Sequence, residues 1–442
     1  MVTDGLQRAG LGRCVKNGRS EAFLRRMARL VPGGASSNAR VGSPIAVARG
    51  EGAELVDLDG NRYIDYILGF GPILLGHANE EVTMSVTEAM SRGTTFAFSH
   101  GLELEVAELI VSLCPSIEMV RLCNSGSDAA GTAYRIACAH THASMAVKIE
   151  GDYNGNPDVL LHDIPGVDAD QLGGRAVPGS VGLPASVHDS IITVPFNDAD
   201  ALETVLKSHP GEIAAVFMEP ILGNTAAIMP EGGYLNAVRS LCDRYGIVLV
   251  FDEVKTGFRV CRGGAQEYLG VHSDLTMYGK AMANGFPLAA IGGRREFMDL
   301  IKPGGVHHCG TYFGNLPCTA AARASLSVLS RIDYSDLQRR GERLAQGICT
   351  LLDNAGIAAH WHGLGSMFGI TIGPEKPRDY RTWWLRTERR VWMDIAAHLR
   401  ELGVLTDGFI GLFFLSFAHT DEHIDRTLSA CEEAVARYKR KA

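Results

Sequence analysis

No stretch of this 442-residue chain is apolar for the roughly 20 residues needed to cross a bilayer, which excludes a membrane-spanning reading. The first thirty residues lack the uninterrupted apolar core of a secretory signal, so the expected compartment is the cytoplasm. They are Arg-rich, and a transit peptide is the alternative, but "SEAFLRRMARLVPGG" reads better as a short amphipathic helix ended by Pro-Gly. Positive charge is in deficit: 42 Lys and Arg against 50 Asp and Glu give a net charge of −8, which offers no basic footprint for nucleic acid. The ten cysteines include no CxxC pair and no regular spacing; this argues against a disulfide framework or a zinc site and fits a reducing compartment. No internal repeat is visible.

Glycine, in contrast, is plentiful at 51 residues, implying many tight turns and close backbone approaches. The length exceeds one ordinary core, so two or three units, or one interlocked α/β enzyme, are expected. Residues 53–66, "AELVDLDGNRYIDY", alternate around Asp59-Gly60 as a hairpin does. From about 75 to 325, strands alternate with helices. "SMAVKIEG", "EIAAVFMEP", "GIVLVFDEV" and "SDLTMYG" are short and almost wholly apolar, as strands buried on both faces of a mainly parallel sheet are. "GGYLNAVRSLCDRYG" supplies a helix between two of them. After about 330, a helix, the strand "GLGSMFGITIG", an Arg/Trp-rich helix and a closing helix suggest a smaller α+β unit. The expected division is 1–74 for an N-terminal segment and hairpin, 75–325 for a large α/β domain and 326–442 for the small domain. The Gly/Pro-rich stretch 164–187 is the one long irregular segment, of a length that is usually functional or mobile.

Ligands of such sheets collect beyond the carboxyl ends of the strands. Three pieces of sequence fall there. "MVRLCNSGSDAAGTAYRIA" (119–137) reads as a strand, a small-residue turn and a helix beginning near Ser127; Ser125, Gly126 and Ser127 would present N–H groups and hydroxyls to an anion such as a phosphate. The stretch is neither GxGxxG nor a Walker loop, and an ordinary N-cap at Ser127 is the plain alternative. "GIVLVFDEVKTGFR" (246–259) ends a buried strand with Asp252 and Glu253, which need partners: a protonated ring nitrogen, or a structural salt bridge. "LTMYGKAMANGFPLAAIGG" (275–293) puts Lys280 between an apolar run and small residues. A lysine with an apolar stem and a solvated head is the plain reading. An apolar strand before it also lowers a lysine pKa, and small residues after it leave room for a ligand. Lys255 is the rival, but alternation along the strand end puts Asp252 and Val254 on one face and Lys255 on the other, where it is expected to be solvated. A phosphate cradle, a strand-end carboxylate and a lysine after a later strand together meet the needs of a phosphorylated pyridine aldehyde.

At these residues the chain resembles the fold-type I, class III pyridoxal-phosphate aminotransferases, within them the glutamate-1-semialdehyde aminomutase branch. The likeness runs from "VPGGASSNAR" through "YIDYILGFGPILLGHANEEV", "NSGSDAAGTAYRIA", "KIEGDYNGNPD", "MEPILGN", "FDEVKTGFR" and "GKAMANGFPLAAIGG" to "GTYFGN" and "FLSFAHTDEHI". It implies a large α/β domain with a mainly parallel sheet, and a smaller α+β domain built from the N- and C-terminal segments. It also implies pyridoxal 5'-phosphate, with pyridoxamine 5'-phosphate as the alternate form, amino acid and keto acid substrates, and a homodimer with shared active sites. Lys280 would carry the Schiff base and shuttle the proton, and Asp252 would pair with the ring nitrogen. Val254 and Tyr153 would lie on opposite faces of the ring. Ser125, Gly126 and Ser127 would hold the phosphate, joined by Thr311 from the neighbouring subunit. Asn224 would sit near the phenolic oxygen, with Glu219 supporting it. Arg40 would receive the substrate carboxylate, or else serve an ordinary salt bridge. The 164–187 stretch matches the branch's mobile lid.

The likeness breaks at several points. The branch carries tryptophan where this chain has Phe70, "YHGH" where it has "YNGN" (153–156), and "SGTEA" where it has "SGSDA". A glutamate near the branch's "FLS", able to compete for the arginine, corresponds to Gly411 in the apolar "FIGLFF". These differences favour an aminotransferase working by ping-pong half-reactions on a carboxylate-bearing amino acid, including a β-amino acid or a bulky apolar or aromatic one, with a keto or semialdehyde acceptor. The alternatives are a glutamate-1-semialdehyde-type 2,1-aminomutase, a racemase or epimerase, and, outside enzymes, a silent scaffold that keeps the fold. No metal site is expected. His307-His308 lack a carboxylate at metal spacing, and His419 and His423 belong to a helix start at Thr420.

Overall fold

The computed structural model describes residues 18–173 and 175–441. The expected short amphipathic segment forms the helix Gly18–Met27. Strands β1 (Val47–Glu51), β2 (Glu54–Asp57) and β3 (Arg62–Asp65) follow, and β2 and β3 form the expected antiparallel hairpin, with Leu55 opposite Tyr63. Its turn is closed by Asp57, whose carboxylate accepts the N–H groups of Asp59 at 2.9 Å and Asn61 at 2.8 Å.

The central layer consists of β4 (Met119–Cys123), β5 (Met145–Ile149), β6 (Ile191–Val194), β7 (Ile213–Met218), β8 (Val248–Asp252), β9 (Leu275–Tyr278) and β10 (Ala289–Gly293). Their order is β4-β10-β9-β8-β7-β5-β6; β10 runs antiparallel to both its neighbours and every other pair is parallel. β7, β8 and β9 are buried along their whole length. This explains their almost wholly apolar sequence: both faces carry helices. Val248 and Val250 pack into the cluster around Ala129, Ala133 and Ile136 of the helix Gly126–Thr141. Leu249 and Phe251 pack on the other side against Leu235 and Val238 of the helix Tyr234–Tyr245. By the same alternation, Asp252 ends β8 on the side of the helix Gly126–Thr141.

The C-terminal part contains β11 (Ala359–Leu364), β12 (Met367–Ile372), β13 (Val404–Leu405) and β14 (Leu412–Phe414). β11-β12-β14 form an antiparallel sheet, while β13 crosses to pair in parallel with β3. The two ends of the chain therefore share one layer. Arg259, fully buried just beyond β8, ties the same parts together. Its guanidinium donates to the carbonyls of Gly71 at 2.6 Å, Ser366 at 2.9 Å and Leu415 at 2.8 Å.

The irregular 164–187 stretch is fastened to the C-terminal unit. Gly166 N–H donates to the Tyr380 hydroxyl at 3.0 Å, and the Trp384 indole donates to Asp168 at 3.1 Å. Among the described residues, no helix is long and apolar enough to cross a membrane.

Candidate active site

A cavity of about 310 Å³ lies where the ends of β8 and β9 meet the start of the helix Gly126–Thr141. Ser125, Gly126, Ser127, Tyr153, Glu219, Asn224, Asp252, Val254 and Lys280 all line it. The structure thus gathers nine of the twelve residues singled out in the sequence.

Asp252 is 5% exposed. Its Oδ2 accepts from the Asn154 amide at 3.0 Å and its Oδ1 from the Val254 N–H at 3.0 Å, and among the described residues it has no ion pair. Burial, then the nearby Glu219 charge, raise its carboxyl to about 6. Asn154 occupies the first histidine position of the branch's "YHGH". It therefore offers Asp252 a neutral donor in place of an imidazole, while its own Oδ1 is left buried without a partner.

Lys280 opens a short 3₁₀ turn, Lys280–Ala283, with φ 46°, a left-handed conformation that costs a side-chain-bearing residue energy and is met most often at functional sites. Its ammonium has no hydrogen bond or ion pair among the described residues and lies on the cavity wall. Burial, then the like charge of Lys255, bring it down to about 7, against the opposite pull of Asp252 and Glu219. The shift toward neutral pH favours the unprotonated amine, the form that acts as a nucleophile toward an aldehyde.

At the helix end, Ser125 rather than Ser127 is the N-cap. Its Oγ accepts the Asp128 N–H at 3.2 Å while its own N–H donates back to Asp128 Oδ2 at 3.0 Å, closing a capping box. The sequence placed the start near Ser127 because small polar residues on both sides of Gly126 can each cap. Ser127 Oγ instead accepts the Asn156 N–H at 3.0 Å, which leaves its proton free to donate outward. Two glycines permit this packing. A Cβ on Gly126 would stand 3.1 Å from Val254 Cγ2, and one on Gly155, at φ +81°, would stand 2.5 Å from Ser127 Oγ.

Glu219, 2% exposed, accepts from the Tyr153 N–H at 3.2 Å, the Gly223 N–H at 2.9 Å and the Asn224 amide at 2.6 Å. The other side of Asn224 is held by Lys255, and here the sequence reading needs correction. Lys255 is buried, not solvated: its Nζ donates to Asn224 Oδ1 at 2.7 Å and Gly223 O at 2.9 Å, and it lines the same cavity as Lys280. β8 ends at Asp252, so strand alternation no longer applies three residues later. The only sequence signal for this lysine was its place beside a strand end.

Arg40, Phe70 and Thr311 are not brought to the cavity within the single chain. Arg40 ends an exposed 3₁₀ turn, Asn38–Arg40, and has no ion pair among the described residues. Phe70 sits in a left-handed turn with φ 68°, 36% exposed. Thr311 is exposed. Gly411 has φ +76°, and a Cβ there would stand 2.3 Å from Ile370 O, so this backbone has no room for a side chain at that position. His308 contacts Thr132 Oγ1 at 3.2 Å and Leu122 O at 3.1 Å, both structural partners.

A buried carboxylate lacking a cation, an unpaired amine and a helix N-terminus around one cavity define a site for a phosphorylated pyridine aldehyde. Comparison with known proteins agrees with that geometry. The family model described as aminotransferase class-III matches residues 36–435. The glutamate-1-semialdehyde 2,1-aminomutase of Roseiflexus castenholzii is 40% identical over 428 residues, which cover 95% of this chain and 98% of that one. The protein of the same name from Methanothermobacter thermautotrophicus is 39% identical over 425 residues, covering 95% and 100%. Among solved structures, an omega-transaminase from Sphaerobacter thermophilus superposes with a TM-score of 0.89 at 30% identity, covering 95% of this chain and 98% of that one. A β-phenylalanine aminotransferase from Variovorax paradoxus does so at 0.86 and 30%, covering 96% and 95%.

The chain belongs to the class-III aminotransferase family. It has the fold-type I architecture and is a pyridoxal-phosphate-dependent enzyme of the aminotransferase type. At the finer level, the names of its relatives match the aminomutase alternative more closely than the ping-pong aminotransferase favoured from the sequence.

Proposed function

We propose that this enzyme is a 2,1-aminomutase of the glutamate-1-semialdehyde type, exchanging an amino group between adjacent carbons of one carboxylate-bearing substrate. The observation carrying this reading is the 39–41% identity, over nearly the whole of each chain, to proteins bearing that name. Pyridoxal phosphate, when bound, supplies a sink for the electrons left behind as a proton leaves the substrate carbon. Lys280 is the residue that binds its aldehyde carbon, and Lys280 Nζ moves the proton between carbon centres. Asp252 accepts a hydrogen bond from the ring nitrogen and keeps that nitrogen protonated, which is the role its unpaired, buried carboxylate suits. Ser127, through its hydroxyl and N–H, and the N–H of Gly126 hold the phosphate, and Ser125 shapes the helix end with its own N–H taken by Asp128 at 3.0 Å. Val254 and Tyr153 enclose the ring, and Asn224 donates toward its phenolic oxygen with Glu219 behind it. Arg40 receives the substrate carboxylate and Thr311 serves a partner subunit's phosphate, both in a homodimer that completes the site.

The second reading is an aminotransferase using separate donor and acceptor. It is favoured by Gly411, which has no acidic side chain where the aminomutase branch carries one, and by the apolar neighbours Leu412 and Phe414. Purified enzyme given glutamate-1-semialdehyde alone decides between the two. Multiple turnovers without any added keto acid are expected. Turnover only when an amino donor is paired with pyruvate or 2-oxoglutarate would replace the mutase with the aminotransferase.

A further inference from the structure

Lys255 lies outside the roles assigned so far, yet it is among the most costly residues in the cavity to keep. A buried ammonium without a carboxylate partner carries an uncompensated desolvation cost, and among the described residues Lys255 has no ion pair. Two of its three N–H donors are spent on Gly223 O at 2.9 Å and Asn224 Oδ1 at 2.7 Å. The ring of Phe414 stands 6.0 Å from its Nζ. Its stem is packed as well, with a Cβ on Gly223 falling 3.0 Å from Lys255 Cδ.

We propose that Lys255 is a positioning residue of the active site, fixing the Asn224 amide with Nδ2 toward the cavity and placing a second cationic group in the wall it shares with Lys280. Lysine can only donate, so the oxygen of Asn224 must face it. Glu219 can only accept while ionised, and it takes one Nδ2 proton at 2.6 Å. The two neighbours leave one amide orientation, in which the second Nδ2 proton is free for a ligand. The charge has a separate effect. The groups acting on Lys280 are the cations Lys255 and Arg259 and the carboxylates of Asp252 and Glu219, and of the two cations Lys255 has the larger influence. Its charge repels a proton on Lys280 and so favours the neutral amine.

This inference rests on the reading of Lys280 as the aldehyde-binding residue, and its test is read first on cofactor-free protein. The amine reactivity of Lys280 is followed from pH 6 to 10 by a short acylation pulse and peptide mass spectrometry. In wild type the midpoint is expected near the value of about 7 set by its surroundings. In both Lys255→Met and Lys255→Gln it is expected to rise by about one unit, slowing labelling at pH 7.5 about threefold. Glutamine keeps a donor toward Asn224 and methionine does not. Holoenzyme kcat should therefore fall further in Lys255→Met than in Lys255→Gln when both are compared at pH 9, where Lys280 is largely neutral. Midpoints that stay at the wild-type value in folded Lys255→Gln would overturn the charge role, and equal kcat in the two variants would overturn the orienting role. If the aldehyde-binding assignment is wrong instead, added pyridoxal phosphate will fail to protect Lys280 from acylation in wild type.

Discussion

Asp252→Asn should make the cofactor-free protein more stable and the enzyme much less active. Asp252 is held at the end of β8 by two neutral donors, and its carboxyl is raised from 3.8 to about 6, first by burial and then by Glu219. A carboxyl raised on folding contributes stability below its unfolded value and loses it as pH climbs through the folded one. Over that interval, at about 1.4 kcal/mol per pH unit, keeping Asp252 ionised at pH 8 costs about 3 kcal/mol relative to the unfolded chain. Asparagine removes the charge and can keep both contacts. Its oxygen still accepts the Val254 N–H, and its amide can donate to Asn154, whose Oδ1 has no partner and becomes an acceptor when that side chain turns. Allowing about 1 kcal/mol for the weaker neutral contacts, the variant gains about 2 kcal/mol at pH 8. The gain shrinks below pH 6 and is gone by about pH 4. Urea unfolding of cofactor-free protein, followed by tryptophan fluorescence across that range, measures it. A gain independent of pH, or a loss at pH 8, would refute the reasoning. In the holoenzyme the same change removes the ring nitrogen's anionic partner, and turnover should fall by about a hundredfold or more.

Two further substitutions test how the site is held. Arg259→Met leaves the carbonyls of Gly71, Ser366 and Leu415 without their donor, at about 1–3 kcal/mol each. Relief of a buried cation offsets part of this, so urea unfolding should show a net loss of about 2–5 kcal/mol. Gly155→Ala puts a methyl 2.5 Å from Ser127 Oγ in a left-handed turn, forcing the 153–156 loop away from the helix end. Affinity for pyridoxal phosphate, titrated by fluorescence quenching, should drop by about tenfold.

The parts of the fold that were legible in the sequence are those where one local pattern determines the outcome. β5, β7, β8 and β9 are predominantly apolar because helices cover both sheet faces, and the hairpin at Asp59-Gly60 follows from turn chemistry. The two-residue β13, which crosses from the C-terminal part to pair with β3, carries no pattern long enough to read. Asp252 and Lys280 could be found because they follow buried strands. Lys255 was misread because the strand period was carried past its last residue into a turn. Asn154 was noticed only as a departure from the resemblance. Its contact with Asp252 joins residues 98 apart, a pairing that only the fold supplies. Arg40 and Thr311 stand on exposed segments, and neither lines the cavity, so the fold of one chain does not account for the roles the resemblance implies for them.

The proposed function requires that Lys280, not its cavity neighbour Lys255, binds the cofactor. Holoenzyme reduced with borohydride, digested and mapped by mass spectrometry locates the bond. One pyridoxyl-phosphate adduct is expected, on Lys280, and none in Lys280→Ala. An adduct on Lys255, or a wild-type protein that takes up no adduct, would contradict the assignment.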